Sequence, residues 1–267
     1  MVSKLFNRYI SIFTEGLTLN NKELDIEFNV LFDDDLEPNV SEITIYNLSS
    51  TTRNRLKRGN SLTLTAGYAE DKGVILSGNI ENVKTDKVGT DRATVIKIAD
   101  NVPFNSEKTL QMSFKKGIKA DQIIRQLAQR SGIKLAVLNL PQNKVFAKGH
   151  SVDGKVIDEI FKIAQDCGAS AYIYKSQAYV RPLTQGDNNR FSLNVDTGLI
   201  DSPEYFVEEK NGKTVKGYKI KSLLQYRMGT ASIVQLQATG IKATLRVRKG
   251  KHTCKGNSYY TEVEAIL

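Results

Sequence analysis

Histidine occurs twice in the 267 residues, at 150 and 252, and cysteine twice, at 167 and 254. Neither histidine has a second ligating residue at the spacing a helix or hairpin supplies, and the cysteines lack the paired spacing of a zinc site. His150-Ser151, with Asp153 close by, has the residue types of a nucleophilic triad. Neighbouring residues on a strand point to opposite faces, so a strand here keeps His150 and Ser151 from sharing a proton. There is no Gly-x-Ser-x-Gly elbow and no phosphate-binding glycine loop. The expectation is therefore a chain that is not an enzyme, with no catalytic, cofactor-binding or metal residues and no cofactor.

Three further groups carry charge in a pattern. Asp33-Asp34-Asp35 with Glu37 offers oxygen ligands to a hard cation, but it lacks the alternation and fixed glycine of a calcium loop. A solvated turn is the expected use of such a run. Lys115-Lys116 and Arg246-x-Arg248-Lys249-x-Lys251 are the main basic patches. On a strand, Arg246 and Arg248 share one face and Val247 and Lys249 the other, which predicts an exposed basic face able to meet phosphates or an acidic partner. Cys167 and Cys254 are expected to be structural thiols, without a disulfide in a reducing compartment.

Composition narrows the class. Hydrophobic residues make up 40% and charged residues 25%, as in folded soluble proteins rather than disordered ones. No apolar run nears the roughly 20 residues of a membrane-spanning helix, and the N-terminus MVSKLFNRYISIF does not read as a secretion signal. The expectation is a soluble protein made in the cytoplasm. The net charge is +9, distributed unevenly. Lys and Arg number 13 against 16 Asp and Glu in residues 1–110, 12 against 5 in 111–182, and 13 against 8 in 183–267. The excess is spread out and lacks the aromatic interleaving of a nucleic-acid footprint.

The elements that position these residues fall into three stretches. In the first, Ile10 and Ile12, then Leu24, Ile26, Phe28, Val30 and Phe32, repeat at period two, as do Ile43-Thr44-Ile45-Tyr46 and Leu62, Leu64 and Ala66. Ser49 or Ser50 can cap a short helix predicted over residues 51–58 and ended by Gly59. Val74-Ile75-Leu76 and Ala93–Ala99 complete the strands, with Gly78 predicted to mark a bulge or a close backbone approach. In the middle the period changes. Ile123, Ile124, Leu127 and Ala128 line one helix closed by Gly132, and Val156, Ile157, Ile160, Ile163 and Ala164 line another closed by Gly168. Each is followed by a strand, 133–138 and 169–174, which predicts two helix-strand units on one small sheet. The last stretch is loop-like through 186–189 and then resumes strands at 219–224, 233–236, 245–247 and 259–266.

Three blocks of residues together resemble the baseplate hub proteins of tailed bacteriophages and phage-tail-like particles. The first is Ser41-Glu42-Ile43-Thr44-Ile45-Tyr46-Asn47-Leu48-Ser49, the short helix, Leu62–Tyr68, and Gly73–Ile80. The second is the glycine-closed helix pair, ending at Val180-Arg181-Pro182. The third runs from Gly198–Glu204 through Gly217–Leu224 to Lys251-His252-Thr253 and Tyr259–Val263. The resemblance follows the chain order over nearly its whole length. Departures from the pattern are Cys254-Lys255-Gly256-Asn257 in a loop where relatives often carry a Gly-Asp turn, and Tyr for Trp near 259.

The resemblance implies an α+β, β-rich fold: tube-type β-barrel domains at 1–107 and 183–267 and an α/β insertion at 108–182. It also implies a homotrimeric, pseudo-sixfold ring in the virion tail baseplate, assembled in the host bacterial cytoplasm. The implied partners are the tail tube or distal tail protein, the central spike protein, and tape-measure and wedge components, with DNA only passing through a channel. Two other expectations stand beside it: a tail-associated cell-wall-binding or wall-degrading module, motivated by the paired helix-strand units, and a nucleic-acid-binding protein, motivated by the +9 charge.

Overall fold

Alternating apolar and polar residues give a strand one buried and one wet face, and this alternation builds most of the molecule. In the computed structural model, which describes residues 5–35, 39–99, 109–175, 177–187, 190–210 and 213–267, the first stretch forms β1 (Arg8–Thr14), β2 (Leu17–Asn20), β3 (Ile26–Phe32), β4 (Val40–Tyr46), α1 (Ser50–Arg55), β5 (Ser61–Tyr68), β6 (Asp71–Val88) and β7 (Asp91–Ala99). Along β3, Ile26, Phe28, Val30 and Phe32 are buried and the residues between them are not. Ser49 caps α1, its hydroxyl accepting from the Thr52 amide at 3.1 Å. The helix stops at Arg55, short of the predicted 58. Leu56 turns extended (φ −80°, ψ 99°) and buries its side chain in the core, which a continued helix does not allow. Gly78 is a close approach: a Cβ there would collide with the Ala99 carbonyl oxygen on β7. The irregularities in pairing lie nearby, between Leu64 and Thr65 and between Ile80 and Asn82.

The middle stretch forms β8 (Thr109–Phe114), β9 (Ile118–Lys119), α2 (Ala120–Ser131), β10 (Leu135–Leu138), β11 (Val145–Phe146), β12 (His150–Lys155), α3 (Val156–Asp166), β13 (Ser170–Tyr174) and β14 (Gln177–Arg181). Gly132 and Gly168 both adopt left-handed backbone (φ 75° and 74°), the conformation that ends a helix at least cost to glycine. Strand order β10-β14-β13 makes the shared sheet predicted for the two helix-strand units. The predicted faces of α2 and α3 and the inner residues of that sheet, Ala171, Ile173, Ala178 and Val180, form one core. β8 with β12 and β9 with β11 make two antiparallel pairs.

The last stretch forms β15 (Arg190–Leu193), a 3-10 turn at Val195–Thr197, β16 (Glu204–Lys210), β17 (Lys213–Leu223), β18 (Ile233–Ala238), β19 (Ile241–Lys255) and β20 (Ser258–Ile266). β15 and β16 were not predicted. β15 is only four residues long, and Tyr205 and Val207 of β16 stay exposed, so neither carries a clear one-sided pattern.

The chain forms two compact units, one from Met1–Asp33, Asn39–Ala99 and Gly186–Leu267, the other from Asp34–Pro38 and Asp100–Gln185. Within the first, the described strands join in one sheet of order β16-β17-β20-β19-β3-β4-β7-β6-β5-β1-β2, with β18 also on β19 and β15 on β18. The join between the outer stretches of the chain is β19 on β3, with Gly250 opposite Phe32 and Cys254 opposite Phe28. Leu224, Cys254 and Tyr259 pack in the same core as Ile12, Ile43 and Leu64. Residues 1–107 and 183–267 thus contribute to one sheet and one core. The expected boundary at 107/108 lies outside the described residues.

Candidate functional site

The residues with chemical potential are dispersed. His150, at the start of β12, places Nε2 2.6 Å from Glu159 Oε1 on α3, with Phe146 against its ring at 4.6 Å. Ser151 is exposed and Asp153 accepts a hydrogen bond from Gln111 at 3.2 Å, so no triad is assembled. Glu159 had no signal in the sequence. It meets His150 because α3 begins directly after β12 and its first turn returns over that strand. His252 is fully buried on β19, its Nδ1 2.8 Å from Thr261 Oγ1 and its ring tilted against Phe32. Both cysteines are free and buried. Cys254 lies within β19 rather than in a loop. Its thiol donates to the Ile26 carbonyl at 3.5 Å, and burial pushes it up to about 11.

In the acidic run, Asp33 accepts from Asn39 at 3.1 Å and its carbonyl from Thr230 at 2.9 Å, and Asp34 and Asp35 lie in a bend. Glu37 lies outside the described residues. Among those described, no group of three or more His, Cys, Asp or Glu converges on a metal-sized point. Lys115 and Lys116 are exposed beside β9.

The predicted exposed basic face at Arg246 and Arg248 is a correction. Both are buried, at 3% and 5% exposure, as are Leu245 and Val247 between and beside them. β19 is irregular between Val247 and Lys249, which interrupts the alternation that the sequence suggests. Arg248 Nη1 reaches Glu208 of β16 at 3.4 Å. Beyond the irregularity the pattern resumes, and Lys249 and Lys251 point to the wet face.

That face carries two rows of alternating lysine and glutamate. Register places Lys221 of β17, Glu262 of β20 and Lys251 of β19 in one row, and Lys219, Glu264 and Lys249 in the next. Lys251 Nζ lies 2.8 Å and Lys221 Nζ 3.7 Å from the Glu262 carboxylate, and Lys249 Nζ lies 3.0 Å from Glu264. Asp201 and Glu204 close the far side at 3.9 Å from Lys221 and Lys219. The Glu262 carboxylate, accepting the Lys251 hydrogen bond, holds that ammonium above its ordinary range. The rows floor a groove of about 610 Å³ bounded by Phe32, Asp33, Asn39 and Ser202. Every lysine in it has a carboxylate neighbour. A face so balanced lacks the unopposed positive charge that gathers phosphates.

No protein-family model and no curated protein matches the chain. Solved structures do. A tail protein from Neisseria meningitidis MC58 superposes with a TM-score of 0.69 at 12% identity, over 98% of this chain and 97% of that one. The 43 kDa tail protein of prophage MuSo2 from Shewanella oneidensis gives 0.67 at 7% identity, over 97% and 96%. An Escherichia coli type VI secretion component, described as similar to the T4 bacteriophage tail proteins gp27 and gp5, gives 0.62 at 12%, over 96% of this chain and 76% of that one. From end to end, the chain has the β-rich fold of these tail and secretion-system proteins.

Proposed function

We propose that this chain is a structural subunit of a phage-type tail, acting as a baseplate hub: a homotrimeric ring between tail tube and central spike. The observation that carries the reading is the likeness of fold to tail proteins over nearly all of both chains. It is supported by the dispersal of the titratable groups, since a hydrolytic site needs a nucleophile, a base and its orienting group within hydrogen-bond reach. Function in such a subunit resides in buried interface and ring closure rather than in a reacting atom. In this reading the 1–107 and 183–267 segments are two tube-type domains whose sheets run together through β19 and β3, so that three copies present six similar units. The distal tail or tube protein, the spike, and tape-measure and wedge proteins are the partners.

The test is to purify the chain with the tube and spike proteins encoded beside it and count the symmetry of the particle by electron microscopy. A threefold ring containing this chain is the expected result. A chain that stays monomeric in the presence of both partners overturns the reading.

A further inference from the structure

The α/β unit carries positive charge that it does not neutralise itself. Lys and Arg number 12 against 5 Asp and Glu in residues 111–182. Four of those five carboxylates are already engaged: Asp121 accepts from Asn143 at 2.7 Å and Asp153 from Gln111 at 3.2 Å, while Glu159 meets His150 and Asp166 meets Lys144. The lysines left over gather where two turns meet. Lys115 and Lys116 lie in the turn between β8 and β9, and Lys148 in the turn between β11 and β12. The Gly117 and Gly149 amides both donate to the Phe146 carbonyl, at 2.9 and 3.0 Å, and a Cβ on Gly149 would collide with the Phe114 carbonyl oxygen. The two turns are therefore fixed side by side. Lys119 of β9 stands opposite Val145 of β11, and that valine is 53% exposed. All four lysines are exposed, and among the described residues none is in an ion pair.

We propose that these paired turns dock a carboxylate-rich segment of a second tail protein, with Val145 as the apolar contact and Lys115, Lys116, Lys119 and Lys148 as its charged surround. Like charges held together without counter-charges repel one another, and an acidic partner relieves that repulsion while steering the approach. An apolar side chain within a charged rim is the anatomy of a protein contact. A nucleic acid suits the surface less well. Phe114 is buried and Phe146 packs against His150 at 4.6 Å, whereas single-strand sites offer open rings on which bases stack. The basic surface continues without a carboxylate along the exposed side of α2, through Gln122, Arg125, Gln126 and Gln129. This inference rests on the hub reading and adds to it a surface, on the α/β unit, for one of the neighbouring proteins.

The experiment assembles the full-length chain with its tube, spike, tape-measure and wedge partners and treats the particle with a water-soluble carbodiimide, which joins a lysine amine to a carboxylate it touches. Linked peptides are read by mass spectrometry, with Lys251 and Glu262, 2.8 Å apart, as the internal control for the reagent. The expected result is linkage of Lys115, Lys116 or Lys148 to Asp or Glu of one partner protein. Lys115→Glu with Lys116→Glu is expected to cut that partner's content in the particle at least about tenfold. Lys134→Glu with Lys162→Glu, the same charge change at exposed positions elsewhere on the unit, is expected to leave it unchanged. The docking is overturned if Lys251 links to Glu262 but the turn lysines reach no carboxylate outside this chain, or if the Lys115→Glu, Lys116→Glu particle keeps its full partner content. It is overturned in favour of a phosphate ligand if the chain alone binds duplex DNA at physiological salt and those two substitutions abolish the binding. In each of these cases the hub reading survives. A chain that never assembles removes both.

Discussion

Tyr259 is the residue on which the most distant parts of the larger unit converge. Its hydroxyl accepts from the Gly67 amide at 2.8 Å and lies 2.9 Å from the Gly67 carbonyl and 3.0 Å from that of Tyr9, while its ring meets Phe28 and Tyr68 edge-on. Tyr259→Phe keeps the ring and leaves the buried Gly67 amide without that acceptor. It should lower unfolding free energy by about 1–3 kcal/mol in a urea titration, with the fold intact by circular dichroism. Cys254, beside it, makes a pH-dependent contribution. Burial raises the thiol from 9.0 to about 11, so the folded protein keeps its proton when the unfolded chain loses it. The associated stability is fully present below pH 9 and is lost as pH rises to about 11, by at most about 2–3 kcal/mol. Comparing unfolding midpoints of the wild-type chain and Cys254→Ala across that range isolates the effect. The difference between them should shrink by that amount as the pH is raised.

At the scale of elements, periodicity was a reliable guide where one face alone is buried. The β3 alternation, the apolar faces of α2 and α3, and the glycines that close both helices all appear in the folded chain as the pattern requires. It failed where burial departs from period two. Arg246 and Arg248 have the spacing of a wet face, yet an irregularity in β19 and coverage on both sides bury them. Edge strand β16 has no buried side to advertise it. Gly78 shows a tertiary demand imprinted on one residue, since the β7 backbone passes where a Cβ would stand. Gly78→Ala should therefore cost about 1–3 kcal/mol through displacement of β6 from β7, whereas Gly89→Ala, with open space at the β6–β7 turn but φ 61°, should cost about 1 kcal/mol from backbone strain alone. Thermal melts of the two variants test that ranking.

At the scale of the molecule, the joining of the first and last stretches has a mechanical consequence. β19 supplies the neighbour of β3, and Leu224, Cys254 and Tyr259 complete the core around Ile12, Ile43 and Leu64. A fragment of residues 1–107 exposes the β3 edge and part of that core. It should aggregate or remain unfolded when expressed alone, and fold when co-expressed with 183–267, as read by solubility and proton NMR dispersion. The α/β unit has its own core of helix and sheet residues, so a fragment covering 109–185 should retain helical circular dichroism by itself. The paired charges of the Lys-Glu rows predict one more outcome. Duplex DNA should bind the Lys-Glu face only weakly at physiological salt, because each of its four lysines already lies beside a carboxylate. Tight, salt-sensitive binding in a fluorescence titration would contradict that.

The amino-acid sequence by itself determined the type of most elements, the glycines at which α2 and α3 stop, and the lack of a local catalytic motif. These properties depend on neighbours within a few residues, whose spacing is written directly in the chain. Tertiary structure decided everything that depends on pairing between distant strands: that β19 joins β3, that Lys221, Glu262 and Lys251 align in a row, and that His150 meets Glu159 rather than Ser151. Register shifts of one residue exchange the two faces of a strand, and a local pattern holds no information about which strand will lie alongside.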